Sequence, residues 1–211
     1  MTTDEAPDWL LDLASAAATM EVPRVLRPPA FGGRRSAVLV LVGNGQAGPD
    51  LLFIQRSEGL RRHAGQPAFP GGAIEDDDDG PVAAALREAA EETGLDPSGV
   101  QVLGTLPELF IPRSGFRVVP VLAWWREPTA VRPVDTGEVA AVERIPLADL
   151  ADPRHRVMLR NPSGRTGPAF RIGSMLIWGF TGLLVDRLLA LAGWERPWDP
   201  SNVRALPEGA A

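Results

Sequence analysis

The sequence predicts an α+β fold in which a mixed β-sheet is flanked by helices. Three observations predict it. Residues 36–42, reading SAVLVLV, form a continuous β-branched and Leu-rich run, as a central strand buried on both faces requires. Residues 81–93 carry helical amphipathic spacing between a Gly-Pro start and a Gly stop. A second apolar helix is expected to open at Ile177-Trp178-Gly179-Phe180-Thr181 and to run to about Leu191. No internal repeat interrupts this order.

Composition bounds the function. The chain has 211 residues, 45% of them apolar, enough for one domain with a substantial core. Its 27 acidic and 21 basic residues leave a net charge of -6, which does not suggest a nucleic-acid partner. Every base is Arg, so mechanisms built on a P-loop Lys or a Schiff-base Lys are excluded. Cysteine is absent too, which excludes disulfides and thiolate chemistry and is compatible with a reducing cytoplasm.

In chain order, residues 1–35 read as an N-terminal segment. Asp4, Glu5, Asp8 and Asp12 interrupt the Ala- and Leu-rich stretch before residue 20, so it is no secretory signal. It is expected to be a short amphipathic helix that covers the core or meets a second subunit, as in a homodimer. Pro23–Arg35 is a connector. After the 36–42 strand, a turn at 44–50 leads to a second strand at 51–56, returning as a hairpin and delivering Arg56 at its end. Further strands are expected at 100–106 and 117–125, with a turn at 111–116 between them. The apolar stretch 175–185 is too short to span a bilayer, which takes ~20 residues, and no membrane partner is expected. Residues 194–211, with Pro197, Pro200 and Pro207, are expected to be extended or disordered.

The chemistry concentrates between Phe69 and Leu95. Five consecutive acids, Glu75–Asp79, precede the helix that starts at Gly80-Pro81 and stops at Gly94. At about 100° per residue, Glu88, Glu91 and Glu92 share one third of the helix circumference, with Val82, Leu86, Ala89, Ala90 and Thr93 roughly opposite. Like charges at this spacing cost roughly 0.2–0.5 kcal/mol per pair. A divalent cation would turn the repulsion into shared coordination, because Mg²⁺ and Mn²⁺ take hard oxygen ligands. The bland alternative is a solvated acidic face. Arg56, Arg61 and Arg62 precede the acids and are either solubilising charges or phosphate partners.

Arg87-Glu88-Ala89-Ala90-Glu91-Glu92-Thr93-Gly94-Leu95, preceded by Gly71-Gly72, resembles the Nudix box of the Nudix hydrolases. Its usual form is a Gly, five residues, Glu, seven residues, then R-E-U-x-E-E-x-G-U, with U bulky and aliphatic. Here Gly72 and Arg87 stand one residue further apart, so the loop acid is Asp78 or Asp79, and Ala89 and Leu95 take the U positions. Upstream, Arg56-Ser57, Arg61, Gly65 and Phe69-Pro70-Gly71-Gly72, each separated by three residues, resemble the extra signature of the coenzyme A diphosphatase branch. That signature normally opens with Leu-Leu-Thr and one more residue before the Arg, where this chain has Leu52-Phe53-Ile54-Gln55, so the Thr is replaced. The Trp178-Gly179 and Thr181 pattern also matches the start of that branch's final helix, so the resemblance covers about Ser36–Leu191.

The resemblance implies an α/β/α sandwich, a Nudix hydrolase domain over residues 36–193, and a cytoplasmic enzyme hydrolysing a diphosphate bond with Mg²⁺ or Mn²⁺. The implied metal ligands are Glu88, Glu92 and Glu91. Glu91, Arg87 and Glu138 are the implied catalytic residues, Glu138 as a late acid near the metal or as a turn-stiffening residue. Arg56, Arg61, Phe69, Gly71 and Gly72 are the implied substrate-binding residues. His63 is read as a loop residue outside the chemistry. Phe110 or Phe116 would stack on an adenine or pack in the core. The implied substrate is a coenzyme A-like nucleoside diphosphate. The alternatives are another such derivative (ADP-ribose, a dinucleotide or a nucleoside triphosphate) or a catalytically silent binding module, which the complete Glu set disfavours.

Overall fold

The computed structural model describes residues 5–60 and 63–207. In chain order these form α1 (Asp8–Ala18), β1 (Arg34–Gly45), β2 (Gly48–Arg56), β3 (Pro67–Ala68), β4 (Gly71–Ala73), α2 (Pro81–Thr93), β5 (Val100–Thr105), β6 (Leu109–Ile111) and β7 (Phe116–Trp125). They continue with β8 (Val139–Pro146), α3 (Leu147–Leu150), β9 (Arg156–Arg160), β10 (Thr166–Ile172), β11 (Met175–Ile177), α4 (Gly179–Leu191) and β12 (Val203–Ala205). Mixed sheets flanked by helices make this an α+β architecture. The chain divides into two compact units, Met1–Gly43 with Phe69–Val134, and Asn44–Ala68 with Asp135–Ala211.

The first unit is built on β1. It pairs in parallel with β7, from Arg34↔Phe116 to Val42↔Trp124, and antiparallel with β4, where Ala37 faces Gly72. Strands β6 and β5 pair with successive parts of β7. Pro120 lies between those two parts, so its missing N–H interrupts no ladder bond there. Leu39, Val40 and Leu41 of β1 are fully buried, as the uninterrupted apolar run requires. Helix α2 packs on β4 and β7, and α1 packs on β5. The N-terminal helix therefore covers the sheet with Leu10, Leu13 and Ala17; each fully buried Leu contributes about 1.5–3 kcal/mol.

In the second unit β2 pairs antiparallel with β8 and β3, and α3 packs on β2. A separate sheet in the order β11-β10-β9-β12 carries α4 against β10. Several boundaries differ from the sequence reading, among them the start of β1, which takes Arg34 and Arg35 from the expected connector. The 44–50 turn shrinks to Gln46-Ala47, because β1 and β2 extend to Gly45 and from Gly48. The 111–116 turn loses both ends to β6 and β7. The last helix starts at Gly179 rather than Ile177, because Met175–Ile177 pair with β10. Apolar runs read alike in a short strand and a buried helix, which is why periodicity misplaced that boundary. Within the tail, residues 203–205 form β12, parallel to β9.

Candidate active site

Helix α2 begins after Gly80 and ends at Gly94, which adopts the left-handed conformation and closes the last turn onto Ala90 O. Its buried residues are Ala84, Ala85, Ala89, Thr93 and Glu92. The expected division into an apolar side and a wet acidic side is thus corrected. Val82, Leu86 and Ala90 are only half-buried, and Glu92 lies on the sheet-facing side with the small alanines. The physical reason is local. Alanines let the helix approach β4 closely, and the buried Glu92 carboxylate is met by a donor, accepting a hydrogen bond from Gly71 N–H at 2.9 Å.

The two glycines of β4 meet different neighbours. Gly71 has φ 153, and a β-carbon there would collide with the β1 backbone at Ala37 and Val38. A β-carbon on Gly72 would collide with the Glu88 carboxylate. Phe69, next to them, is buried at 2% exposure, so its ring packs in the interior.

Arg87 organises the carboxylates. Its Nε and Nη2 donate to Asp78 Oδ1 and Oδ2, both at 3.0 Å, in a bidentate pair. Nη2 also donates to Ala73 O at 3.1 Å, and Nη1 donates to Glu88 and Glu91, both at 3.2 Å. All five guanidinium protons are thereby used. Of the two candidate loop acids, Asp78 makes the pair. The Arg87 hydrogen bonds hold the Asp78 carboxyl below its ordinary range, and Asp78 in turn pushes the Arg87 guanidinium up. Burial pushes the Glu88 carboxyl up, only partly offset by Arg87, with Glu91 and Glu75 adding to the rise.

One guanidinium thus faces three carboxylates, those of Asp78, Glu88 and Glu91, while the fourth, that of Glu92, accepts from Gly71 N–H. Among the described residues no three carboxylate or imidazole side chains form a ready-made metal nest. Glu88 and Glu91 turn to Arg87, and Glu92 turns to Gly71. The donor set nonetheless fits a hard dication. It is all oxygen, it carries more negative charge than Arg87 neutralises, and Glu91, with a side chain 60% exposed, is free to swing.

The second unit holds two more of the sequence-derived residues and brings them together. Arg56 lies at a register shift in β2, opposite Val139. The neighbouring Ser57 donates from N–H to Glu138 O at 2.9 Å and from Oγ to Thr136 O at 2.6 Å. Glu138 itself is exposed and closes a turn by donating to Asp135 O at 3.1 Å. Arg56 Nε is buried and has no hydrogen-bond partner among the described residues. His63 adopts φ 54, and its Nδ1 meets Gln66 Oε1 at 2.9 Å. Arg61 and Arg62 lie outside the described residues. Two features escaped the sequence reading, the Ala73 carbonyl on Arg87 and the Gly71 N–H on Glu92. Backbone groups leave no mark in residue identity, although a Gly pair placed one helix-length before a Glu cluster was a signal of close approach.

Comparison with known proteins supplies the family. The NUDIX domain profile matches residues 33–162. An uncharacterized Nudix hydrolase, NudL, from Citrobacter koseri is 37% identical over 184 residues, covering 82% of this chain and 92% of that protein. NudL from Cronobacter sakazakii is 38% identical over 185 residues, with the same coverage of both chains. Among solved structures, the Nudix hydrolase RenU from M. smegmatis superposes with a TM-score of 0.55 at 21% identity, over 80% of this chain and 91% of that one. A profile match across most of the chain, joined to relatives aligned nearly end to end, leaves one conclusion: the chain belongs to the Nudix family and is a hydrolase acting on pyrophosphate bonds.

Proposed function

We propose that the enzyme hydrolyses the diphosphate bond of coenzyme A or an acyl-coenzyme A, releasing 3′,5′-ADP and 4′-phosphopantetheine or its acylated form. Nudix hydrolases generally use divalent metal ions, and in this reading Glu88, Glu92 and Glu91 hold Mg²⁺ or Mn²⁺. When bound, the ion would neutralise diphosphate charge and lower the pKa of a water molecule. The remaining work falls to the chain. Glu91 or Glu138 accepts the proton of the attacking water. Arg87, fixed by Asp78 and Ala73 O, restrains Glu88 and Glu91 so that their oxygens stay oriented. Arg56 and Arg61 pair with phosphate oxygens of the substrate.

The observation that carries the reading is the buried Nε of Arg56, at the head of the Arg56-to-Gly72 signature, which has no hydrogen-bond partner among the described residues. A buried donor without an acceptor is costly, and an anionic ligand oxygen would satisfy it. One observation favours a different nucleoside diphosphate, namely Ile54 where the coenzyme A signature carries a Thr. A substrate panel with Mg²⁺ and Mn²⁺ decides between them. Coenzyme A and its thioesters should be cleaved to 3′,5′-ADP faster than ADP-ribose, dinucleotides or nucleoside triphosphates. Rapid turnover of one of those with none of coenzyme A would replace the first reading by the second.

A further inference from the structure

The start of β1 presents a cation that no described residue balances. Arg34 and Arg35 are both exposed, but they point to opposite faces of the sheet. Arg34 stacks its guanidinium over Phe116, 5.1 Å from the ring centroid. Arg35 lies two residues before Ala37, and Ala37 pairs with Gly72, whose missing side chain is the space that Glu88 fills. Arg35 therefore projects on the same face as Glu88, roughly 7 Å along the strand from that contact. The ladder continues to it without a break, because Ile74 N–H donates to Arg35 O at 3.1 Å.

Across the sheet, Arg35 stands opposite Arg117, and Arg117 stands opposite Phe110. Two like charges directly opposite each other weaken a strand pair. Arg117 is neutralised by Glu108, with Nη2 donating to Oε2 at 2.6 Å and Nε to the same oxygen at 3.0 Å. The Arg35 guanidinium makes no hydrogen bond or ion pair with the described residues. One face of the sheet thus carries, in a row about 10 Å long, a half-buried aromatic ring, a neutralised guanidinium and an unpaired one.

We propose that Arg35 is an outer phosphate subsite, which selects substrates whose nucleoside carries a phosphomonoester in addition to the diphosphate that is cleaved, with Phe110, two strands away on the same face, for the base. The inference rests on the diphosphate-cleaving site at Glu88 and Gly72 and adds the class of nucleotide it takes. An exposed guanidinium binds a phosphomonoester bidentately. A base stacks on an aromatic face whatever its identity. Register decides between the two phenylalanines, because Phe116 shares its face with Arg34, which already covers its ring, whereas Phe110 shares the face of Arg35.

The test is calorimetric titration of the full chain with 3′,5′-ADP and with 5′-AMP, which differ by one phosphomonoester. The chain should bind 3′,5′-ADP about tenfold more tightly, and Arg35→Gln should bring the two within about twofold of each other. Equal affinities in the unaltered chain, or a ratio that Arg35→Gln leaves unchanged, would reduce Arg35 to a solubilising charge beside the acidic run. Hydrolysis of coenzyme A and of dephospho-coenzyme A separates this from the coenzyme A reading. Equal KM for the two overturns the subsite while that reading stands. No turnover of either, with the binding ratio and its loss in Arg35→Gln intact, overturns that reading while the subsite stands.

Discussion

Glu92 and Arg87 show how one residue can be fixed by what surrounds it. A carboxylate buried in a small domain is expensive unless it is hydrogen-bonded or paired. Glu92 meets that demand through Gly71 N–H, a bond that a neutral amide oxygen could also accept. Glu92→Gln therefore separates charge from shape. The variant should lose metal-dependent turnover by about 100-fold or more, while its melting temperature stays within about 2 °C of the unaltered chain. A variant with undiminished rate would remove Glu92 from the metal assignment. The helical spacing of the three Glu residues was legible in the sequence. The sequence places Arg87 to pair with Glu91, four residues on, or with the loop acid, and the structure has both bonds; the bonds to Glu88 and Ala73 O were not legible.

At the scale of the element, the loop 75–79 and helix α2 are joined by the Asp78–Arg87 pair, and this joint should be visible in acid. The Asp78 carboxyl is held below its ordinary value of 3.8 by Arg87. The folded state therefore binds that proton less readily than the unfolded chain. The stabilisation is fully present above the ordinary range and is lost as pH falls through the folded value. Glu88 works in the opposite sense. Burial raises its carboxyl above 4.5, so its protonation favours the folded state as pH falls. Asp78→Asn should thus lower the melting temperature at pH 7 and flatten its decline between about pH 5 and pH 3. Thermal unfolding followed across that range checks it, and parallel curves for the two proteins would show that the pair does not couple loop to helix. The run of five acids hid this joint in the sequence. Asp78 and Asp79 differ in no local property, and only the chain reversal at Asp78, where Asp78 N–H donates to Glu75 O and Glu75 N–H to Asp78 Oδ2, selects one of them.

At the scale of the whole molecule, the sheet built on β1 was legible and the sheet β11-β10-β9-β12 was not. The first rests on long apolar strands with a strong pattern. The second is made of strands of three to seven residues, too short for a period to declare itself. What holds its last member is a set of long-range contacts around Arg156, whose side chain is fully buried. The guanidinium pairs with Asp186 of α4 and with Glu195 of the tail, and lies 5.3 Å from the Phe170 ring centroid and 4.4 Å from that of Trp198. Leu206 adds a packing contact against Val157, Leu159 and Ala169. The stretch after α4 is therefore a strap across β9. Ending the chain at Gly193 would strip Arg156 of one carboxylate and one aromatic face and would open β9 along its β12 side. Removing those contacts should cost about 2–4 kcal/mol and lower the melting temperature by roughly 5–10 °C. Trp198→Ala alone should give a smaller fall in the same direction. Calorimetric melting of the full and shortened chains measures it, and a shift within about 2 °C would mean that Asp186 and Phe170 suffice to hold Arg156 without the strap.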